Sequence, residues 1–476
     1  LEERVLRREV PLEDGEWYSQ ARVVEGQSEL YGLDMVRLAR AGAELIPEGD
    51  TLVDVRLQID EGKRHLLTGQ AGYTTESGIS ADASWSRRNF LGGARTLELS
   101  ALTRTGIWGP EEAVAERYGV SVLLRQPYVF HRRLEGLIRP FGEYRDELRD
   151  RSVDGGIETS LLYRRGPNRT ISLQYSLSSR WVLEARPGGP LSGEEELVEL
   201  LRSLDTLDLD RRTSSLQLTG RWGRGPDLQG ARPGWGGELS LEVAGPRGLS
   251  TVEYGKVVGR ASRRIPLGRG FLLSGRAGFG RVFPYGQSLP APDGSDRLEV
   301  YLKLRDATLT AGGPRDVRGW KTELLGPKIP DFRVSEASDS AVDAGRYIPL
   351  GGLARWTASV ELEAPLPLIG RPHGVHIFLD AGRVWTPDER FLPPEAPLLP
   401  GELDEDVRFG TGLGVTFASP VGPIQLDLGY KLNPSPLDLR KPGAVARALD
   451  DGEGLAGVRR HGIRRWHLHL SMGGIR

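Results

Sequence analysis

Apolar and polar residues alternate strictly in many short segments from about Gly72 onward. In Glu238–Val243, Ser359–Glu363 and Ile424–Tyr430, every second side chain is apolar. A period of two places those apolar side chains on one face of a β-strand. The chain must therefore cover one apolar face of many strands, either with a second sheet or with lipid.

About sixteen such segments, each of roughly 9 to 15 residues, have the length of tilted strands that cross a membrane. They begin near residues 65, 79, 94, 116, 133, 151, 168, 211, 234, 249, 271, 355, 374, 407, 422 and 464. The long connections, near 182–210, 284–354, 386–406 and 434–463, all follow odd-numbered segments. Long loops on one rim and tight turns on the other are typical of outer-membrane barrels, whereas a soluble sandwich has no reason to sort its loops. We therefore predict an all-β transmembrane barrel of about sixteen antiparallel strands over residues 65–476.

Residues 1–64 have a different pattern. They predict a strand over Arg4–Val10, a helix over Asp14–Leu30, and two further strands over Met35–Leu45 and Thr51–Ile59. Such an α+β module is too small to bury much core alone, so contact with the barrel or with preceding modules would help it. The N-terminus, Leu1–Arg4, lacks the features of a signal peptide, which predicts a mature chain or a fragment.

Composition excludes several classes of function. The 63 basic and 65 acidic residues leave a formal net charge of −2, without the basic excess of a nucleic-acid-binding surface. The absence of cysteine excludes disulfides, thiolate catalysis and cysteine-ligated zinc. There is no run of 18 apolar residues, so no transmembrane helix is predicted. No phosphate-binding loop or HExxH motif occurs either, so no ATPase signature is present. We predict no catalytic residues and no enzyme activity.

Three further patterns have competing interpretations. Gly410–Gly414 has glycines spaced as in a dinucleotide loop, but no crossover helix follows, and glycines also suit a crowded barrel wall. His467 and His469 share one face of a strand without an evident third metal ligand. Gly193–Leu201 has the pattern of a short helix in an outer loop, where a solvated lid is favoured over a site. We therefore predict no cofactor and no metal.

Several stretches together resemble the outer-membrane assembly factors typified by BamA and TamA, whose relatives include two-partner secretion transporters. The stretches that carry the resemblance are Gln27–Leu33, Asp60–Lys63, Gly72–Gly78, Arg87–Gly92, Val317–Trp320, Phe378–Gly382, Val384–Trp385 and Ser419–Pro423. The resemblance implies that residues 1–64 form a POTRA domain in the periplasm, either a single one or the last of several. It also implies that residues 65–476 form a barrel in the bacterial outer membrane.

The stretch in the sixth loop resembles the family's hallmark motif, with tryptophan where phenylalanine or tyrosine is commoner. It comprises Val317, Arg318, Gly319 and Trp320. The resemblance implies that this loop lies inside the barrel, with Arg318 against Glu361 and Asp380. Alternation independently places Glu361 on the polar face of its strand, and a guanidinium can engage carboxylates bidentately. The alternative is an ordinary surface arginine in a turn.

The junction between the first and last strands is the second predicted site. Interior glycines weaken a strand, and the resemblance assigns Gly473 to the kink of the family's closing strand, opposite His65–Tyr73. The predicted seam comprises Gly72, Tyr73, Trp466, Met472, Gly473 and Gly474. The alternative is that these glycines only ease the curvature of the barrel. The chain ends in Arg476, whereas the family usually ends in an aromatic residue.

Together these features predict a scaffold that inserts other outer-membrane proteins, or helps to translocate them, through a weak seam. An opened seam would template a client strand by β-augmentation. The implied partners are client outer-membrane proteins, a periplasmic TamB-like partner or assembly lipoproteins, and outer-membrane lipid. The alternative is a two-partner-type secretion pore or a passive diffusion porin whose seam stays shut.

Overall fold

Antiparallel strands close into a sixteen-stranded barrel in the computed structural model. The structure describes residues 1–12, 15–33, 35–45, 53–75, 77–107, 116–147, 150–166, 168–185, 210–224, 233–245, 249–292, 297–330, 346–366, 369, 372–391, 406–419, 422–450 and 454–473. The barrel strands are β3 (His65–Thr74), β4 (Gly78–Arg88), β5 (Thr96–Arg104), β6 (Glu116–Gln126), β7 (Leu134–Asp146), β8 (Asp150–Gly166), β9 (Arg169–Ala185), β10 (Arg211–Arg224), β11 (Gly234–Ala244), β12 (Tyr254–Gly268), β13 (Phe271–Pro284), β16 (Ala354–Pro365), β17 (Gly374–Trp385), β18 (Arg408–Ser419), β19 (Gly422–Lys431) and β20 (Trp466–Gly473). Each pairs with the barrel strands before and after it, and β20 pairs with β3. The predicted all-β barrel is confirmed.

The barrel wall has an apolar outer face and a polar inner face. On β11, Trp235, Leu241 and Val243 are exposed on the outside, whereas Ser240 on the same strand is buried. An apolar outer band of this kind is what lipid covers in a membrane barrel. Within the described residues, no helix has both the length and the hydropathy to span a membrane.

The strand boundaries follow the alternation closely, with the largest deviation at β12. The sequence predicts a start near residue 249, but the strand begins at Tyr254. The preceding residues bond elsewhere: the Thr251 amide donates to the carbonyl oxygen of Arg212 on β10. Apolar residues here pack into a buried cluster that includes Val252, so the pattern continues although the ladder with β11 has not begun.

Two helices and a hairpin make up the N-terminal unit: α1 (Glu3–Glu9), α2 (Gln20–Tyr31), β1 (Val36–Leu45) and β2 (Val53–Glu61). The predicted strand over Arg4–Val10 is wrong, because this segment is helical. Val5 and Glu9, one helical turn apart, are both buried, and Arg7 pairs with Glu3 across another turn. The helix predicted from Asp14 begins later, at Gln20.

The N-terminal unit packs against the short turns of the barrel. Its buried cluster contains Val5 and Leu30 together with Ala94 of the β4–β5 turn. Glu25 on α2 accepts hydrogen bonds from Arg132 (2.9 Å) and Arg133 (3.0 Å) in the β6–β7 turn. Contact with the barrel thus supplies part of the core that a module of this size lacks.

The opposite rim carries two long connections that pack on each other. The sixth loop, residues 285–353, contains α3 (Arg297–Leu304), β14 (Lys328–Pro330) and β15 (Tyr347–Pro349), and the β19–β20 connection contains α4 (Pro442–Asp450). Short 3-10 helices cover Gly286–Ser288, Glu389–Phe391, Leu437–Leu439 and Gly462–Arg465. One buried cluster joins the two connections; among its members are Tyr301, Ile329, Ile348, Leu437 and Val445. The helix predicted over Gly193–Leu201 lies outside the described residues.

Candidate functional site

Arg318 of the sixth loop is buried against the inner wall of the barrel. Its side chain is 1% exposed, and Asp380 on β17 is fully buried. The next residue, Gly319, has φ +105°, a conformation that favours glycine. This bend turns the chain so that the arginine faces the wall while Trp320 packs with Val317 and Val384.

Asp380 binds Arg318 through three hydrogen bonds. The guanidinium donates from Nε to Oδ2 (2.8 Å) and from Nη2 to Oδ1 (2.9 Å), which is the bidentate geometry that arginine favours. The Arg318 backbone amide also donates to Oδ2 at 2.9 Å. One carboxylate therefore fixes both the side chain and the backbone of the motif.

Three residues on β16 and β17 complete the environment of the guanidinium. Nη1 donates to Glu361 Oε2 at 2.6 Å and Nη2 to Ser359 Oγ at 3.3 Å, and the Phe378 ring lies 3.5 Å from Cζ. Burial alone lowers the pKa of Arg318, but the hydrogen bond and charge of Asp380, helped by Glu361, outweigh it and raise that pKa. The arginine is a permanent cation whose buried charge is compensated within the wall.

Wall glycines make room for the loop. A Cβ at Gly410 would overlap the Arg318 carbonyl oxygen, and one at Gly429 would lie 2.5 Å from the Gly319 nitrogen. At Gly382 the nearest atom would be Val317 Cγ2, at 2.8 Å. Gly410 opens the Gly410–Gly414 run, which lies in β18 of the barrel and not at the start of a helix. Close approach of the loop backbone accounts for glycine at this position.

Asp438, in the β19–β20 connection, is a buried partner of the motif that the sequence analysis missed. It accepts a hydrogen bond from Trp320 Nε1 at 2.9 Å and forms an ion pair with Lys328. Burial alone would raise the pKa of Asp438, but the charges of Lys328 and Lys431 outweigh it and lower that pKa to about 2. No local pattern marks this contact, because Lys328 and Asp438 are 110 positions apart.

Acid is expected to weaken this contact in a narrow pH range. A folded-state pKa below the ordinary aspartate value means that the stabilisation is complete above about pH 4 and is lost as the pH falls toward 2. We expect the urea midpoint to fall more steeply between pH 4 and pH 2 in the unmodified chain than in Asp438→Asn. The other carboxylates titrate in both proteins, so any difference in slope comes from Asp438. Equal slopes of urea midpoint against pH would mean that the Asp438 contact does not stabilise the fold.

A second set of ion pairs fixes the sixth loop to another part of the barrel wall. Asp306, which follows α3, contacts Arg180 of β9 at 2.6 Å and Arg211 of β10 at 3.1 Å. These strands are far around the barrel from β16 and β17, which hold Arg318. The loop is therefore anchored at two separate parts of the wall, with β11, β12 and β13 between them.

The β20–β3 junction has a shorter ladder than the other junctions of the barrel within the described residues. Its Cα pairs are Ser471–Thr74, Met472–Tyr73 and Gly473–Gly72, whereas β19 and β20 share seven pairs. Trp466, at the other end of β20, packs on Tyr430 of β19, with ring centroids 4.7 Å apart, and has no register partner on β3. Gly474 lies outside the described residues.

The two histidines of β20 lie side by side, with ring centroids 4.4 Å apart. Asp427 on β19 is opposite His469 and contacts His376 of β17 at 2.6 Å. Within the described ranges, no group of three histidine or carboxylate side chains has the arrangement of a metal site. The site accordingly offers ion pairs and strand edges, and its chemistry is that of binding.

Comparisons with known proteins agree with this architecture. The outer membrane protein assembly factor BamA of Neisseria meningitidis serogroup B is 28% identical over 142 residues, which span 27% of this chain and 16% of that relative. BamA from Haemophilus ducreyi lacking POTRA domains 1–3 has a similar structure, with a TM-score of 0.69 at 19% identity over 98% of this chain and 81% of that one. CdiB from Acinetobacter baumannii gives a TM-score of 0.55 at 11% identity, covering 99% and 71% of the two chains. At these identities the structural matches establish the fold.

A family match covers the larger part of the sequence. Residues 89–441 match the Omp85 superfamily domain. The matched range begins in the β4–β5 turn and ends just before α4, so it contains most of the barrel, the sixth loop and its carboxylate partners. The chain belongs to the Omp85 superfamily.

Proposed function

We propose that this outer-membrane barrel inserts other outer-membrane proteins, or helps to translocate them, by opening the junction between β20 and β3. The observation that carries the proposal is the ladder of three described pairs, where the neighbouring β19–β20 ladder has seven. Among the described residues of the barrel this junction has the fewest strand pairs, which supports it as the place where the wall parts. No covalent step is involved, so the work is mechanical.

The part of β3 that lies beyond its described pairs with β20 supports a templating role. His65 to Ala71 are all exposed, and the described ladder with β20 reaches only Gly72. Backbone groups in lipid must find hydrogen-bond partners. A client strand that adds to this edge would satisfy them by β-augmentation, and the free energy of its own folding would drive insertion.

The N-terminal unit fits the role of a receiving module. We propose that residues 1–64 form a POTRA domain in the periplasm and residues 65–476 the barrel. The ion pairs of Glu25 with Arg132 and Arg133 would hold the module beside the short turns, below the lumen. Its partners would be client proteins and either a TamB-like periplasmic protein or assembly lipoproteins.

A secretion or diffusion pore is the second candidate, and the polar lumen favours it. A cavity of about 510 Å³ inside the barrel is lined by charged side chains that include Asp82, Glu98 and Arg117. The sixth loop argues against open passage, because its anchors at Arg318 and Asp306 lie on separate parts of the wall. A substrate would have to displace the loop before it crossed the lumen.

A disulfide across the junction distinguishes the two candidates. The sequence contains no cysteine, so Tyr73→Cys with Met472→Cys, which are opposed in register, creates a single defined crosslink. The measurement is folding of an unfolded outer-membrane client into vesicles that contain the chain. We expect the client to fold into vesicles with the oxidised protein no faster than into empty vesicles. Reduction of the disulfide should restore the faster folding.

The matched control is Ala261→Cys with Ala277→Cys, an opposed pair on β12 and β13, where the ladder is long. This crosslink should leave insertion unchanged. If the β20–β3 crosslink forms fully and insertion continues at the same rate, the seam mechanism is wrong. Continued passage of a soluble substrate through the locked barrel would favour the pore.

A further inference from the structure

A groove with a volume of about 570 Å³ crosses the outward face of β3 to β7, beside the junction that closes the barrel. Small side chains, Ala83 and Ala101, form its floor. Leu67, Leu99 and Val120 form its sides and are 77%, 43% and 65% exposed. Alternation directs all of them away from the lumen, so the groove opens toward membrane lipid.

Pro140 of β7 lines this groove where the β6–β7 ladder is interrupted. The β6–β7 ladder pairs Ser121 with Phe141 and Leu124 with Ile138 but skips the positions between them. Proline has no backbone N–H to donate, so a ladder that meets it in a strand interior is interrupted. The wall is notched here, and Pro140 lines the groove.

Trp85 lines the groove, and beyond it, toward the N-terminal unit, His65 and Arg87 are groups suited to a lipid headgroup. Trp85 stacks on His65 with ring centroids 5.6 Å apart. Arg87, two residues further along the outward face of β4, is opposite His65 in register and exposed. Tryptophan rings favour the level of lipid headgroups, and a guanidinium matches the geometry of a phosphate.

We propose that this groove binds one phospholipid from the leaflet on the N-terminal side of the membrane. Its acyl chain lies over Ala83 and Ala101, and its phosphate contacts Arg87. The groove supplies an apolar slot, and an exposed cation, Arg87, lies beyond its end on the N-terminal side, so an acyl chain and a phosphate can bind together, which favours a phospholipid over a free phosphate. The site does not depend on the proposed insertion activity.

Native mass spectrometry of the full chain in detergent tests the proposal. The probes are dioleoyl phosphatidylglycerol, which has a phosphate, and dioleoylglycerol, which has none. Arg87→Gln should weaken binding of the first phosphatidylglycerol about tenfold, the effect of one lost charge-assisted contact, and leave dioleoylglycerol binding unchanged. Ala83→Leu and Ala101→Leu, alone or together, should weaken binding of both lipids by filling the slot.

Two outward-facing positions elsewhere on the wall serve as matched controls. Arg263→Gln on β12 and Ala277→Leu on β13 make the same changes at exposed sites away from the groove. Heat-dependent gel mobility identifies the variants that fold. The proposal is overturned if folded groove variants bind lipid as tightly as the unmodified chain does. It is also overturned if the control variants lose as much lipid binding as the groove variants. Displacement of the lipid by inorganic phosphate would show a headgroup site without an acyl slot and would also overturn it.

Discussion

Replacing Arg318 by alanine is expected to free the sixth loop from the barrel wall. The substitution leaves Asp380 buried without its counter-charge and removes three side-chain contacts to carboxylates. Breaking a buried, hydrogen-bonded ion pair in this way costs about 3–5 kcal/mol. The loop should then become sensitive to protease in membranes, and single-channel conductance should rise as the lumen opens.

Two controls separate charge from geometry. Arg318→Lys keeps the positive charge but loses the planar fork, so an intermediate loss of protection is expected. Arg390→Ala removes an arginine whose partner, Asp388, also lies at the surface, where solvent screens the ion pair, so loop protection should not change. If Arg318→Ala keeps the protease resistance and conductance of the unmodified chain, the loop is not held by this cluster.

The contacts of Arg318 assign it a bracing role in the proposed mechanism. It joins the sixth loop to β16 and β17, while Asp306 joins the same loop to β9 and β10. The strand β17, which carries Asp380, is separated from β20 by β18 and β19. In the proposed mechanism, a loop fixed at two parts of the wall would brace the strands that hold it, and deformation would concentrate at the β20–β3 junction, which has the fewest described pairs.

The barrel could be predicted from the sequence because the environment on each side of the wall imposes a period of two. Prediction failed where that rule does not apply. The apolar and charged residues of Arg4–Val10 are compatible with either a short strand or a helix. The segment is helical, and the helix buries Val5 and Glu9 on one face. At residue 249 the apolar pattern continues into the cluster around Val252, although pairing with β11 begins later.

The candidate site divides in the same way. Glu361 could be placed on the inner face from its strand alone, and family resemblance supplied Arg318 and Asp380. The contact of Asp438 with Trp320 could not be predicted, because it depends on how two long connections fold over the rim. Gly410 was singled out only as part of a glycine run, since a close approach between backbones leaves no mark in the sequence apart from the missing side chain.

Alanine at Gly410 is expected to displace the sixth loop although every charged group of the cluster is kept. The added Cβ would overlap the Arg318 carbonyl oxygen, a backbone atom that no side-chain rotation can move away. Overpacking of this kind costs about 1–3 kcal/mol. We expect protease sensitivity of the loop to increase, by less than in Arg318→Ala, and the unfolding temperature to fall.

Gly275 on β13 is the matched control for this substitution. It is also a wall glycine, but a Cβ there would meet nothing within 4 Å. Gly275→Ala should therefore leave both measurements unchanged, because its only effect is the small gain in strand propensity. Gly429→Ala, whose Cβ would lie 2.5 Å from the Gly319 nitrogen, should reproduce the Gly410→Ala result. If Gly410→Ala and Gly275→Ala behave alike, the loop does not lie against β18, and the glycines there serve only the curvature of the wall.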